Sequence, residues 1–583
     1  MRLPKTLLAL PLAAALAHAP EARAQDAAER AARRVTELAD AFVAQAFRDS
    51  PEAATLYALP GYRHDRLSDN SLAAVAQSAA FGDSLLRELD AVDASTLWGR
   101  PEWVVQGFLR ESLEASRASR VCRRELWPIH QMFGWQVGLG QLAAAQPVGS
   151  DSARAEALAR WRQLPRWLDT EVANLREGLR QGYTTPKRNV QLVVEQLDAL
   201  LAAPPEASPF WSPAARDSTP AFREAWRALV ADDITSAIRR YRDFLRDEYL
   251  AGARESQALS ALPNGRACWM AQYRGYTTVE RTPEEVFELG RRTVERNQAD
   301  MRRLGKELFG TDDPEALRRR VAEDGANRFS GRDEILAFSR ASVERAKAAM
   351  PRWFGRLPKA EARVEPIEAY REASASSHYQ DPADDGSRPG TYWIQLYRPE
   401  EQTRGVAEIT AFHETYPGHH LQIALARERP SAHPITRFAD NSGYVEGWGR
   451  YSESLAEEMG LYTLPHARIQ RRAWPARGMV ADPAFHMLGW TREQVIDYLM
   501  EAGRTREWSV NLVDRIAVLP AQLTAYDTGA LEIFALRRAA EERLGDRFDV
   551  RVFHDRLLED GSLTLRMLRE KMERWMAEEA ARR

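Results

Sequence analysis

Apolar residues recur at helical spacing over most of this chain. From Asp26 to about Leu201 the run is rich in Ala, Arg, Glu and Leu, and Leu38, Ala41, Phe42 and Ala46 fall on one helical face. Trp103, Val104, Phe108, Leu109 and Leu113 form a second stripe of the same period. Stripes of this kind face a core, because one side of each helix is withdrawn from water. The proline-rich segment 203–220 interrupts the pattern, either as a divide between lobes or as a surface loop. Helical spacing resumes at Ala221, passes Tyr249 and meets a turn at Leu262-Pro263-Asn264-Gly265. Thr282-Pro283-Glu284-Glu285 then starts a helix: the threonine caps, the proline fits the first turn, and the third-position glutamate closes a capping box. Thr491-Arg492-Glu493-Gln494 repeats the device.

The period changes after the loop 381–390. Thr391-Tyr392-Trp393-Ile394-Gln395-Leu396-Tyr397 is dense in β-branched and aromatic residues and reads as a strand. It is expected either as an exposed edge that could align an extended peptide or as part of a short buried hairpin. The whole pattern predicts a mainly α protein of many helices with one small β-strand element, in possible lobes 25–260 and 261–583.

At 44% hydrophobic and 28% charged residues, the chain is of the globular class, and 583 residues can bury a large core. A net charge of -3 with no basic block gives no reason to expect nucleic acid. Residues 1–24 read as a secretory signal: Arg2 and Lys5, then an apolar stretch from Leu7 to Ala17, then Ala22-Arg23-Ala24 before Gln25. That stretch is too short to span a bilayer, and no later run approaches ~20 apolar residues, so no transmembrane segment is expected. No cysteine lies near the cleavage site, and no lipid anchor is expected there. The expected destination is the periplasm or the exterior. Cys122 and Cys268 could pair in such a compartment or remain buried thiols. Two cysteines cannot build a zinc site alone, so any metal must rely on histidine and carboxylate.

The chemistry concentrates in Phe412-His413-Glu414-Thr415-Tyr416-Pro417-Gly418-His419-His420-Leu421-Gln422. Three of the eleven histidines fall within eight residues here, beside a glutamate. Neutral imidazoles are common zinc ligands, and a neighbouring carboxylate can act as general base. Val406, Ile409 and Phe412 recur at threes, which places His413 on a helix with one buried face. A regular zinc helix would carry its second histidine four residues on, where this chain has Pro417. Seven residues of undistorted helix rise ~10.5 Å, too far for two imidazoles to share one ion. The Pro417-Gly418 pair must therefore bulge or kink the helix if the histidines are to meet.

A third ligand is expected from a following helix, 442–459. There Tyr444, Trp448, Tyr451, Leu455 and Met459 form an apolar stripe, and Glu446, Arg450, Glu453 and Glu457 form another. Glu446 either turns into the cleft as a ligand or pairs with Arg450 on a solvated face.

His413-Glu414-x-x-Pro417-Gly418-His419-His420-Leu421-Gln422, followed by Glu446-Gly447-Trp448, resembles the DUF885 family, a domain of unknown function. That family is similar to the mostly helical, thimet-oligopeptidase-like zinc peptidases of the gluzincin type. The resemblance runs over most of the chain after the signal and is strongest from about Leu262 onward. It implies a helical, metallopeptidase-like catalytic unit over 25–583, with the strand element beside an active-site cleft. It implies His413 and Glu446 as zinc ligands and Glu414 as general base. His419 is preferred as the remaining ligand because His-His-Leu-Gln then aligns with the usual motif; His420 is the alternative. Two further family-like elements are Asp482-x-x-x-His486-x-x-Gly489-Trp490 and Pro520-x-Gln522-x-x-x-Tyr526-x-x-Gly529. They imply His486 and Tyr526 as donors to a developing oxyanion. This chain has Ala484 and Ala521 where the family pattern usually has glycine.

The expected function is therefore an exported zinc-dependent peptidase acting on peptide substrates. Two alternatives stand beside it: an exported binding or structural protein with a relic metal site, and a metal-dependent hydrolase of non-peptide amides. Neither G-x-S-x-G nor a P-loop occurs.

Overall fold

The computed structural model describes residues 13–59, 61–367, 372, 376–382, 388–429, 433–438 and 441–582, leaving out the side chains of 13–24 and 438. Of the expected secretory signal, residues 1–12 lie outside that description. The first helix, Ala13–Asp49, runs through the expected cleavage point.

The architecture is mainly α, and the apolar stripes assemble it. On the first helix the buried face centres on Val35, Leu38 and Ala39, while Ala41 and Phe42 pack at its margin and Ala46 is exposed. Val104, Phe108, Leu109 and Leu113 of the helix Pro101–Ser119 join the same cluster. That cluster continues into the C-terminal half through Tyr444, Trp448, Tyr451, Ile533, Leu568 and Trp575. A second cluster contains Leu67 and residues from Ile129 to Ala253. The proline-rich segment belongs to the second cluster rather than to a linker. Phe210, Trp211 and Ala214 are buried in it, and the Trp226 indole donates to the Phe210 carbonyl at 3.0 Å. A third cluster, containing Trp127, Trp269 and Met479, surrounds a disulfide between Cys122 and Cys268. Both expected capping boxes are formed, at Thr282/Glu285 and Thr491/Gln494.

The β element is a sheet of three strands, β1 (Ala362–Pro366), β2 (His378–Gln380) and β3 (Gly390–Ile394), in the order β1-β3-β2. The predicted strand is β3, and it ends at Ile394 rather than Tyr397. It pairs parallel with β1 and antiparallel with β2. Both its edges are therefore occupied, which corrects the expectation that this strand offers an open edge to a peptide. The outer strand on one side is β2.

Four helices position the candidate site: α1 (Arg404–Glu414), α2 (His419–Arg427), α3 (Ser442–Glu458) and α4 (Ala525–Leu544). Among the described residues no helix is long and apolar enough to cross a membrane.

Candidate functional site

The Pro-Gly interruption does more than kink a helix. It ends α1 at Glu414 and starts α2 at His419, with Thr415, Tyr416, Pro417 and Gly418 between them. Gly418 is required there, because a Cβ would sit 1.9 Å from the His413 carbonyl oxygen. Helix α3 fastens the break. The Trp448 indole donates to the carbonyls of Pro417 and Gly418 at 2.9 and 3.2 Å, and the Ser452 hydroxyl donates to Pro417 at 3.2 Å. These bonds satisfy carbonyls that the broken helix leaves without partners.

The break brings His413 and His419 together, with ring centroids 4.5 Å apart and planes at 81°. Glu446 of α3 faces both. Its Oε2 lies 3.6 Å from His413 Nε2 and 3.6 Å from His419 Nε2. One ligand atom from each of the three residues lies within 4.8 Å of the others. These separations are too long for direct hydrogen bonds. The two 3.6 Å distances are near the spacing of donors that share one cation, since ligands ~2.1 Å from a tetrahedral zinc stand roughly 3.4 Å apart. Glu446 does not pair with Arg450, which bonds Glu453 instead. Helix α3 approaches this closely because residue 449 is glycine; a Cβ there would lie 2.6 Å from the His413 ring.

Glu453, two turns beyond Glu446 on α3, completes the arrangement. His413 Nδ1–H donates to Glu453 Oε1 at 2.9 Å, which points the Nε2 lone pair toward Glu446. The Arg450 guanidinium donates to both Glu453 oxygens at 2.8 Å. Sequence reasoning placed Glu453 on the same stripe as Glu446 without assigning it this role; its seven-residue spacing from Glu446 was the available signal. Burial opposes charge on His413, but Glu446, Glu453 and Glu414 raise it to about 10. Burial alone would raise Glu446, yet His413 and His419 hold it below the usual carboxylate range. Three carboxylates around His413 favour a positive charge at this point. His419 Nδ1 is buried without a partner among the described residues.

Glu414 ends α1 and is buried. Among the described residues its carboxylate makes no hydrogen bond or ion pair. Burial raises its pKa, and Glu446 adds to that, while His419 and His413 oppose. Tyr526 of α4 also reaches the cluster, with its ring centroid 6.4 Å from that of His413. Burial and the Glu446 charge raise its hydroxyl pKa.

The other two candidates are engaged elsewhere. His420 accepts a hydrogen bond at Nδ1 from the Tyr379 hydroxyl at 2.9 Å and donates from Nε2 to the Ala360 carbonyl at 3.0 Å. Both His420 nitrogens are thus engaged, and the group of side chains that could hold a metal contains His419 in its place. Burial lowers the His420 pKa to about 4. His486 accepts from the Leu259 amide at 3.0 Å and donates to the Ile516 carbonyl at 2.9 Å. Both ring nitrogens are thus taken by backbone partners, which leaves no free N–H on the residue expected to donate to an oxyanion. The nearby Ala521 has φ +68°, where glycine is the unstrained residue, and its amide donates to both Asp482 oxygens.

The sheet lies beside the cluster. The buried Tyr392 hydroxyl is raised by burial and then by the Glu414 charge, and the Tyr379 hydroxyl of β2 is the one that holds His420.

Two solved structures are similar to this chain. One is a candidate lipoprotein from Colwellia psychrerythraea, 22% identical, with a TM-score of 0.83, covering 95% of this chain and 99% of its own. The other is a candidate lipoprotein of unknown function from Shewanella oneidensis, 19% identical, with a TM-score of 0.76, covering 92% and 99%. At these identities the likeness extends to the fold alone. No curated protein matches the sequence. The sequence matches, over residues 51–572, the family described as "Bacterial protein of unknown function (DUF885)", and the chain belongs to that family.

Proposed function

We propose that this chain is an exported zinc-dependent hydrolase that cleaves peptide bonds. The observation that supports this most is Glu446 standing 3.6 Å from each of two imidazole nitrogens, too far to bond either and suitably placed to share a cation with both. His413, His419 and Glu446 would hold the metal as a two-histidine, one-carboxylate set, which leaves a position for water or substrate. Zinc bound there would supply a Lewis acid that acidifies water and polarises a carbonyl.

The chain's own groups would do the rest. Glu414, with unoccupied lone pairs and a raised pKa, takes the proton of the attacking water and passes it to the departing amine. Glu453 fixes the ring orientation and tautomer of His413. Tyr526 keeps its proton, since burial and Glu446 disfavour the phenolate, and can donate it to a developing oxyanion. Partial access suits the role: the side chains of His413, His419 and Glu446 are 11%, 10% and 21% exposed.

Export is supported by the secretory pattern of residues 1–24, by the Cys122–Cys268 disulfide, which suits an oxidising compartment, and by the fold shared with two candidate lipoproteins.

The test is digestion of a mixed peptide library by the zinc-loaded protein, read by mass spectrometry. New cleavage products are expected from the native chain. Glu414→Gln should keep its zinc and lose activity by ~10²–10⁴-fold. Cleavage of small amides with intact peptides would move the reading to amide hydrolysis, and an inert zinc-loaded protein would contradict both.

A further inference from the structure

A cavity of about 140 Å³ adjoins the cluster, lined by three arginines, Arg450, Arg504 and Arg515, one carboxylate, Asp527, and the rings of Tyr526 and Trp508 among others. Two contacts tie it to the metal-ligand set. Tyr526 borders both, and Arg450 reaches His413 through their shared partner Glu453.

The three arginines differ in how their charge is met. Arg450 bonds both Glu453 oxygens and lies 3.6 Å from Asp527. Burial pulls its pKa down, and Glu453 and Asp527 more than offset that. Arg504 and Arg515 have no carboxylate partner among the described residues. The Arg504 guanidinium lies 4.8 Å from the Trp508 ring centroid and 5.7 Å from that of Trp474, held by aromatic faces alone. Arg515 donates to the neutral Gln522 side chain at 2.5 Å. Burial, and then the Arg450 charge, pull Arg504 down to about 10. A desolvated Arg504 beside the Arg450 charge, in a cavity that Arg515 also lines, is a setting that an anion would relieve.

Guanidinium forks match carboxylate geometry, and the indole walls leave apolar room beside it. We propose that this cavity is a carboxylate subsite of the cleft, in which Arg504 and Arg515 take a free carboxylate of a peptide whose adjoining amide lies at His413, His419 and Glu446. The inference rests on reading that cluster as the reaction centre. The carboxylate is either the peptide's C-terminus or an acidic side chain.

The test is calorimetric binding of three small probes to the full chain: N-acetylphenylalanine, its amide, and N-acetylglutamic acid α-amide. It is run before and after chelation of bound metal, because a carboxylate can also ligate zinc. At least one carboxylate probe should bind ~10-fold or more tightly than the neutral amide, in line with a charge-assisted bond. Preference for the first probe assigns the C-terminus, and preference for the third assigns a side chain. Arg504→Gln and Arg515→Gln should each abolish the preference, while Arg504→Lys should retain part of it, with native circular dichroism in all three. Equal binding of charged and neutral probes, or a preference that survives both glutamine variants, would overturn the subsite. The outcome separates from that of the hydrolase reading: selective binding without peptide cleavage keeps the subsite and removes the activity, and cleavage indifferent both to an amidated C-terminus and to replacement of acidic side chains by their amides does the reverse.

Discussion

His419 and His420 are adjacent in the chain and stand in opposite settings. His419 faces Glu446 and the His413 ring, with one nitrogen 3.6 Å from a carboxylate oxygen and the other unpartnered among the described residues. His420 turns toward the sheet and spends both nitrogens, one on a tyrosine hydroxyl and one on a backbone carbonyl. His413 and His486 repeat the contrast at a distance. Histidine type and sequence neighbourhood are nearly the same across the pair, so the partners of the ring nitrogens set the role. An imidazole with both nitrogens bonded to protein is a packing element, and one with a lone pair aimed across a gap at a carboxylate is available to a cation.

The sharpest way to break that contrast is to exchange the two neighbours. His419→Ala should drop zinc, measured by plasma mass spectrometry after gel filtration, to background, whereas His420→Gln should keep one equivalent. Loss of zinc from the second variant and retention in the first would reverse the assignment. A smaller effect is expected one bond further out. Glu453→Gln keeps the shape of the side chain but weakens its hold on the His413 N–H, and zinc affinity should fall by ~10–100-fold in competition with a chromogenic chelator. An unchanged affinity would mean that Glu453 serves only Arg450.

The engaged histidines should appear in stability instead of metal binding. Burial depresses the His486 pKa to about 3, well below an unfolded value of ~6.5. A depressed histidine favours the neutral folded form, so its contribution is complete above pH ~6.5 and is lost as pH falls toward its folded value. Between pH 6.5 and 5 the native chain should lose ~2 kcal/mol through this residue. His486→Asn should lack that component in urea unfolding, although it is less stable at neutral pH. An identical acid loss in the variant would show that His486 does not titrate with unfolding.

Much of this arrangement was legible from the residues alone, where local rules decide. The two capping boxes, a strand starting near Thr391, the helix carrying His413 and the need for a break at Pro417-Gly418 all follow from spacing and backbone chemistry, though not the end of that strand at Ile394. Glu446 was visible as a ligand only beside an equal alternative, since the same face of α3 also carries Arg450. What escaped depends on contacts between distant segments. The Leu259 amide and Ile516 carbonyl that occupy His486 lie 227 and 30 residues away from it. The occupied edges of β3 require knowing where β1 and β2 dock. Proline richness at 203–220 left a divide between lobes and a surface loop equally open, and Phe210 and Trp211 carry the apolar surface that draws the segment into the second cluster.

The most direct test is diffraction from zinc-containing crystals, recorded at the zinc absorption edge. One anomalous peak is predicted, ~2.0–2.2 Å from His413 Nε2, His419 Nε2 and a Glu446 carboxylate oxygen. Stoichiometric zinc in the crystal with no peak among these three side chains, or with the peak ligated by His420, would contradict the account.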